Sequence, residues 1–368
     1  MQLESLSTPC LLVDKMRFMN NISRLKSRLS ELGVAARPHL KTLKSVEAVK
    51  FLLPSFDSPC TVSTLKEAKE FVAAGYRNIT YAVGITADKL PTVLELQHQG
   101  AHINILIDNA VQAEAILAFC ETNHCTLHVL IEIDCDGMRA GIKPSDEQLG
   151  KIALKLASRG CFAGVLTHSG GAYLCQSENE IKQFAVQERN AITQAASRIR
   201  AMGLPCNTVS VGSTPTAHYG EDWEGVTEVR AGVYVFFDLV MANLGVCELK
   251  DIALSVVTRV IGHNVEKNWL IIDAGWMALS KDPGDGKNGY GLVEKANGDI
   301  IASAMVNSVN QEHGIIHLPS TELLSSYPIG SILRILPNHA CATAAMHESY
   351  HVVDQRGAMT NWPRFNGW

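Results

Sequence analysis

The sequence predicts an α/β protein: a (β/α)8 barrel of the TIM type followed by a β-rich C-terminal domain. Three observations predict it. From residue 8 to about residue 240, short apolar runs alternate with longer amphipathic runs. About eight such repeats are present, the number a closed barrel needs. After about residue 245 the strand-like runs continue with no long helical pattern between them. Strand–helix alternation implies a parallel sheet. An open doubly wound sheet is the competitor, but no GxGxxG follows an early strand.

In chain order, the short runs fall at 10–13, 34–38, 60–63, 79–83, 103–107, 127–133, 162–167 and 208–211. Helical runs fall between them at 15–32, 65–74, 89–99, 110–121, 146–158 and 178–201. In the first helical run Met19, Ile22, Leu25 and Leu29 share one face by their spacing. The later strand-like runs are 252–261, 269–272, 291–294, 314–317 and 332–336. The pattern places a barrel domain at 8–245 and a β-rich domain at 246–368, with residues 1–7 free to join the second. The segment 281–290, rich in Gly, Asp and Lys, reads as a mobile, solvated loop.

Composition limits the function. A hydrophobic content of 46% over 368 residues allows a sizeable core. A net charge of −5 gives no basic face, so nucleic acid is not an expected partner. No apolar run reaches the roughly 18 residues of a membrane span. The start, Met1 to Pro9, lacks the basic and apolar regions of a secretory leader. The ten cysteines form no CxxC pair and read as reduced thiols of a cytoplasmic protein, mostly core residues, with Cys341 the exception.

The chemistry starts at Arg37-Pro38-His39-Leu40-Lys41-Thr42-Leu43-Lys44, which closes the second short run. Barrel enzymes carry their reactive groups at strand C-terminal ends. A lysine there can condense with an aldehyde cofactor; the residues alone leave Lys41 and Lys44 both eligible. Gly212-Ser213-Thr214 follows the run at 208–211, where a glycine and two hydroxyls can receive a phosphate. His339-Ala340-Cys341 follows the run at 332–336. In an extended segment, residues i and i+2 share a face, and imidazole with thiolate suits a zinc ion that keeps open positions.

These segments resemble the D-threonine aldolase and D-serine dehydratase family of fold-type III pyridoxal-phosphate enzymes, relatives of alanine racemase. The resemblance covers nearly the whole chain, from Thr8-Pro9 to Gly367-Trp368. It includes Val62-Ser63-Thr64-Leu65-Lys66-Glu67-Ala68, Gly212-Ser213-Thr214-Pro215-Thr216, Ala231-Gly232-Val233-Tyr234 and Pro337-Asn338-His339-Ala340-Cys341-Ala342-Thr343. It implies that Lys41 carries pyridoxal 5'-phosphate, with His39, Arg139, His168 and Tyr173 about the cofactor. Gly212, Ser213 and Thr214 would receive its phosphate, helped by Gly232, Val233 and Tyr234, while Arg230 would face the pyridine nitrogen.

The resemblance further implies that His339 and Cys341 bind a divalent metal: zinc, or alternatively manganese, magnesium or cobalt. Aldolases of the family resemble His-x-Asp at that point, whereas dehydratases resemble His-x-Cys. Asp273, Trp276, Gln311 and His313 are candidate residues of the substrate pocket. The function implied is a lyase, a dehydratase of D-β-hydroxy amino acids such as D-threo-3-hydroxyaspartate or D-serine, working as a homodimer. A D-threonine or D-3-hydroxyaspartate aldolase, an amino-acid racemase and a non-catalytic cofactor carrier are the alternatives.

Overall fold

The computed structural model describes residues 2–368. Its chain divides into two compact units. One comprises the segment through Ile22 together with Val233–Asn366, and the other Ser23–Gly232 with Gly367–Trp368.

The second of these units holds eight parallel strands: Ala35–Ala36, Cys60–Val62, Asn78–Gly84, His102–Ile107, His128–Ile133, Phe162–Thr167, Thr208–Val211 and Glu228–Val229. From Cys60–Val62 onward each strand pairs with the next in sequence, and the last pairs with the first. A parallel bridge between His39 and Thr61, with the Thr61 N–H donating to Pro38 O (2.9 Å), joins the remaining two edges. The result is the closed barrel the alternation predicts. Most of its strands are buried on both faces, as parallel strands under helices are; Ile103, Ile105, Leu106 and Ile107 are all nearly inaccessible, whereas the short strand Ala35–Ala36 is exposed. The helices begin at capping side chains, Thr64, Asn109, Asp146 and Ser177, each accepting a backbone N–H of the first turn.

Two of the sequence expectations are corrected here. Cys10–Asp14 is not a barrel strand. It pairs antiparallel with Leu254–Asn264 and parallel with Ser349–Val353, in the sheet of the other unit. The eighth barrel strand is instead Glu228–Val229, two residues long and partly charged, too short to show any periodicity. The turn Gly212–Thr214 therefore follows the seventh barrel strand. In the helix Lys15–Glu31 the buried stripe is Phe18, Ile22, Leu25 and Leu29, while Met19 is exposed.

The other unit contains a nine-stranded sheet. Six of its strands close into an antiparallel ring in the order Leu254–Asn264, Trp269–Ile272, Gly314–His317, Ile300–Val309, Leu292–Lys295, Ile332–Leu336 and back. Cys10–Asp14, Ser349–Val353 and Met359–Pro363 extend it. This compact unit starts at Val233, earlier than the change of pattern near residue 245. The reason lies in its hydrogen bonds: Leu239 N–H donates to Pro337 O (3.0 Å) and Val240 N–H to Asn338 O (3.2 Å), tying the segment to the C-terminal sheet. No helix among the described residues is long and apolar enough to cross a membrane. All ten cysteines are free thiols, eight of them buried.

Candidate active site

The barrel unit brings most of the predicted cofactor residues together at the C-terminal ends of its strands. Lys41 lies in the short 3-10 turn Leu40–Thr42, which His39 caps by accepting the Lys41 N–H. The ammonium of Lys41 makes no hydrogen bond or ion pair among the described residues. Lys44 is held: its Nζ lies 3.3 Å from Glu67, which is fully buried, and 3.4 Å from Gly367 O. The two lysines that the sequence leaves equivalent are thus different in the fold, one restrained and one available.

Two imidazoles beside Lys41 are held neutral. Burial depresses His39 well below its usual range, and the charges of Lys41, Arg230 and Arg139 depress it further. His39 thus lies within electrostatic reach of Lys41, Arg230, His168 and Arg139. Burial likewise lowers His168 to about 4. Its Nδ1 lies 2.6 Å from Gly212 O, and a carbonyl only accepts, so the proton is on Nδ1. Arg230 is buried, donating to Ser210 Oγ and to Thr167 O at 2.6 Å each. Burial pulls it down to about 10 against the opposing pull of Glu228 and Glu188. Arg139, largely exposed, pairs with the buried Glu132 at 3.2 Å.

The turn after Thr208–Val211 is built for close approach. Gly212 has φ +153°, and a Cβ there would lie 1.9 Å from Arg230 O, so no other residue fits. Ser213 caps the following short helix, accepting the Thr216 N–H, and its hydroxyl shares a hydrogen bond with the Thr216 hydroxyl (2.9 Å). Thr214 N–H donates to the Tyr173 hydroxyl at 3.3 Å. The Thr214 hydroxyl is buried with no hydrogen-bond partner. Buried polar atoms are rarely left so, and an anion there would satisfy it. At Gly232 a Cβ would come within 3.0 Å of His39 O. Val233 and Tyr234, which open a 3-10 turn in the other unit, are buried. On these observations the barrel residues fit a phosphorylated aldehyde cofactor.

In the second unit His339 and Cys341 lie side by side, but not on an extended segment. His339 is extended at φ −137°, ψ 102°, and caps the short helix Ala340–Ala344, so Cys341 sits in a first helical turn. The hydrogen bond that the His339 ring donates to Cys341 lifts His339 to about 10, against burial. His339 Nδ1 lies 3.0 Å from Asp282 Oδ2, a contact that orients the ring. Asp238, fully buried and pushed up to about 6 by burial, accepts the N–H groups of Met241 and Ala340. Among the described residues no group of three or more His, Cys, Asp or Glu is placed to hold an ion. His339 and Cys341 are the pair that could hold a divalent metal, since imidazole and thiolate both suit an ion with open positions.

The loop at 281–290 is solvated as expected, with no buried residue, but it is tied down at two points. Asp282 joins His339, and buried Asn338 donates to Asp282 O (3.1 Å) and Gly289 O (2.7 Å). Asp273 is fully engaged, accepting from Thr258 Oγ1, Arg259 N and Thr8 Oγ1. Trp276 N–H donates to Asn310 O, and a Cβ on Gly275 would strike Gln311 O and His313 N. The stretches around Asp273–Trp276 and Gln311–His313 are therefore packed on each other. Sequence reasoning missed Glu188 and Asp282. Asp282 had no sequence signal; Glu188 did, as a carboxylate within the apolar stripe Ile181, Ala185, Ile192 of a long helix.

Residues 13–240 match the alanine racemase N-terminal domain, and residues 253–353 match the serine dehydratase domain. The chain belongs to the D-serine dehydratase family of the alanine racemase fold. Within this family it is 43% identical to D-threo-3-hydroxyaspartate dehydratase from Delftia sp., over 99% of this chain and 98% of that protein. A solved structure of that dehydratase superposes with a TM-score of 0.97. Other structures of it carry a histidine-to-alanine change and, two positions further on, a cysteine-to-alanine change in the metal-free form. An alanine racemase-like protein from Idiomarina loihiensis is 49% identical, with a TM-score of 0.97 over 100% of this chain and 99% of that one. D-serine dehydratase from Dictyostelium discoideum is 32% identical, over 98% of this chain and 96% of that protein.

Proposed function

We propose that this chain is a pyridoxal 5'-phosphate- and divalent-metal-dependent dehydratase. Its substrate would be a D-configured β-hydroxy amino acid, D-threo-3-hydroxyaspartate or D-serine, and its products a 2-oxo acid and ammonia. The observation that carries this reading is the 43% identity along almost the whole chain to a dehydratase of that substrate class. The reading includes a homodimer in the cytoplasm.

In this proposal Lys41 carries the cofactor, and Thr214, Ser213, Gly232, Val233 and Tyr234 receive its phosphate. Arg230 faces the ring nitrogen, a permanently charged neighbour that disfavours protonation there. Arg139, His39, His168 and Tyr173 surround the ring. His339 and Cys341 hold the metal, zinc by the softness of the thiolate, with manganese, magnesium or cobalt as alternatives. When bound, the cofactor supplies a sink for the electron pair left at Cα and the metal a Lewis acid for the departing hydroxyl. Lys41 Nζ takes the Cα proton. His39 and His168 stay neutral, so they add no further positive charge beside Lys41, Arg230 and Arg139. Asp282 holds the His339 ring in one tautomer and orientation. Cys341, in the position where aldolases of the family resemble aspartate, favours elimination over carbon–carbon cleavage.

The test is a product assay on D-threo-3-hydroxyaspartate, D-serine and D-threonine, with and without chelator. Chelator-sensitive release of a 2-oxo acid with ammonia supports the proposal. Glycine with an aldehyde product identifies an aldolase and overturns it.

A further inference from the structure

Glu188 sits mid-way along the helix Glu178–Ala201, in line with Ile181, Ala185, Ile192, Ala195 and Ile199, and is fully buried. A carboxylate in an apolar stripe is a local violation of the folding pattern, and such violations concentrate where function needs them. Taking it out of water is expensive unless donors replace the water. Three do. Oε1 accepts the N–H of Ser169 at 3.1 Å and the N–H of Gly212 at 2.9 Å. Oε2 accepts the Thr216 hydroxyl at 2.7 Å, and that hydroxyl meets Ser213 Oγ at 2.9 Å.

These three bonds join two separate pieces of chain. One is the end of the strand Phe162–Thr167, which continues into His168 and Ser169; the other is the turn Gly212–Thr216. His168 completes the clasp from the other side through its 2.6 Å bond to Gly212 O. Glycine 212 therefore has its N–H fixed by Glu188 and its carbonyl fixed by His168. In a planar trans peptide the N–H of the next residue points opposite that carbonyl, so the direction of the Ser213 N–H is set as well. Each clasped piece also carries a buried hydroxyl with no partner: Ser169 Oγ, in a residue 0% exposed, and Thr214 Oγ1, in a residue 1% exposed. Each of these hydroxyls lies within two residues of a group that donates to the same buried carboxylate, and an anion would satisfy them.

We infer that Glu188 is a positioning residue for the cofactor's phosphate, locking the Ser169 and Gly212–Thr214 segments into one rigid anion cradle. This rests on the proposal that the turn receives that phosphate. The action is geometric: the carboxylate does not touch the anion, and as a negative charge it could only repel it. Its reach matters more than its charge.

The experiment compares pyridoxal 5'-phosphate with pyridoxal, which lacks the phosphate, by absorbance titration of the full chain stripped of cofactor. The readout is the dissociation constant of pyridoxal divided by that of pyridoxal 5'-phosphate, in wild type, E188D and E188Q. E188D keeps the charge but draws the acceptors back by one methylene; a fall of at least about tenfold in the ratio is expected. E188Q keeps the reach and a carbonyl that can accept both N–H groups, so its ratio should stay within about threefold of wild type. Should E188D fail to fold by circular dichroism, T216V, which cuts the link from Glu188 to Ser213, should lower the ratio in the same way. Equal weakening of both ligands, or an unchanged ratio in E188D or its substitute, overturns the inference. A wild type with no preference for the phosphorylated form overturns the phosphate reading itself, and that outcome is distinct from the other two.

Discussion

Thr214 allows two opposite effects to be predicted from one substitution. Its hydroxyl is buried and unpartnered, and the residue is 1% exposed. Thr214→Val keeps the branched shape and removes only the polar atom. In the cofactor-free chain an unsatisfied buried hydroxyl is unfavourable by about 1–3 kcal/mol, so the variant should be more stable than wild type by up to that amount. With cofactor bound, the same hydroxyl would donate to a charged phosphate, a bond worth about 1.5–3 kcal/mol. The variant should then bind pyridoxal 5'-phosphate about 10- to 150-fold more weakly. Urea unfolding of the cofactor-free chain measures the first effect and absorbance titration the second. A variant that loses stability while keeping its affinity would refute the reasoning, because the hydroxyl would then have a partner within the protein and none in the ligand.

Other outcomes follow from the same geometry. Cys341→Ala should abolish dehydration and lower the bound metal measured by elemental analysis, while the cofactor absorption band survives; full activity would remove the thiolate from the mechanism. Stability should fall as pH drops from 6.5 towards 4. His168 is held at about 4 by burial, whereas an unfolded imidazole binds its proton near 6.5. The unfolded state therefore takes up more protons in that window, and His39 and His218, both lowered by burial, act in the same direction. His168→Asn should shrink the stability difference between pH 7 and pH 5 in urea unfolding. An unchanged difference would mean that His168 titrates normally in the folded chain.

The barrel was legible because its parallel strands are short, mostly apolar runs between amphipathic helices, as in residues 103–107 and 127–133. Cys10–Asp14 has the same composition as those strands, and composition does not say which sheet a strand joins; its partners lie more than two hundred residues away. Glu228–Val229 was missed for the opposite reason, since two residues carry no period. Lys41 stood out only through its motif, and the choice over Lys44 became physical once Glu67 was seen to hold Lys44. The pairing of His339 with Cys341 was read from spacing, while the helical turn that produces it was not, because Ala340–Ala344 is too short to signal a helix. Asp282 reaches His339 across 57 positions, a contact that no local pattern encodes. Glu188 could have been found: a glutamate at the centre of an apolar helical stripe asks for buried donors, and Ser169, Gly212 and Thr216 are those donors.

The covalent attachment of the cofactor is the claim from which the rest descends. Borohydride reduction of the chain after incubation with pyridoxal 5'-phosphate, followed by peptide mass mapping, locates the modified amine. The account predicts one stable adduct on Lys41 and none on Lys44, which Glu67 restrains. An adduct on Lys44, or no adduct at all, would contradict it.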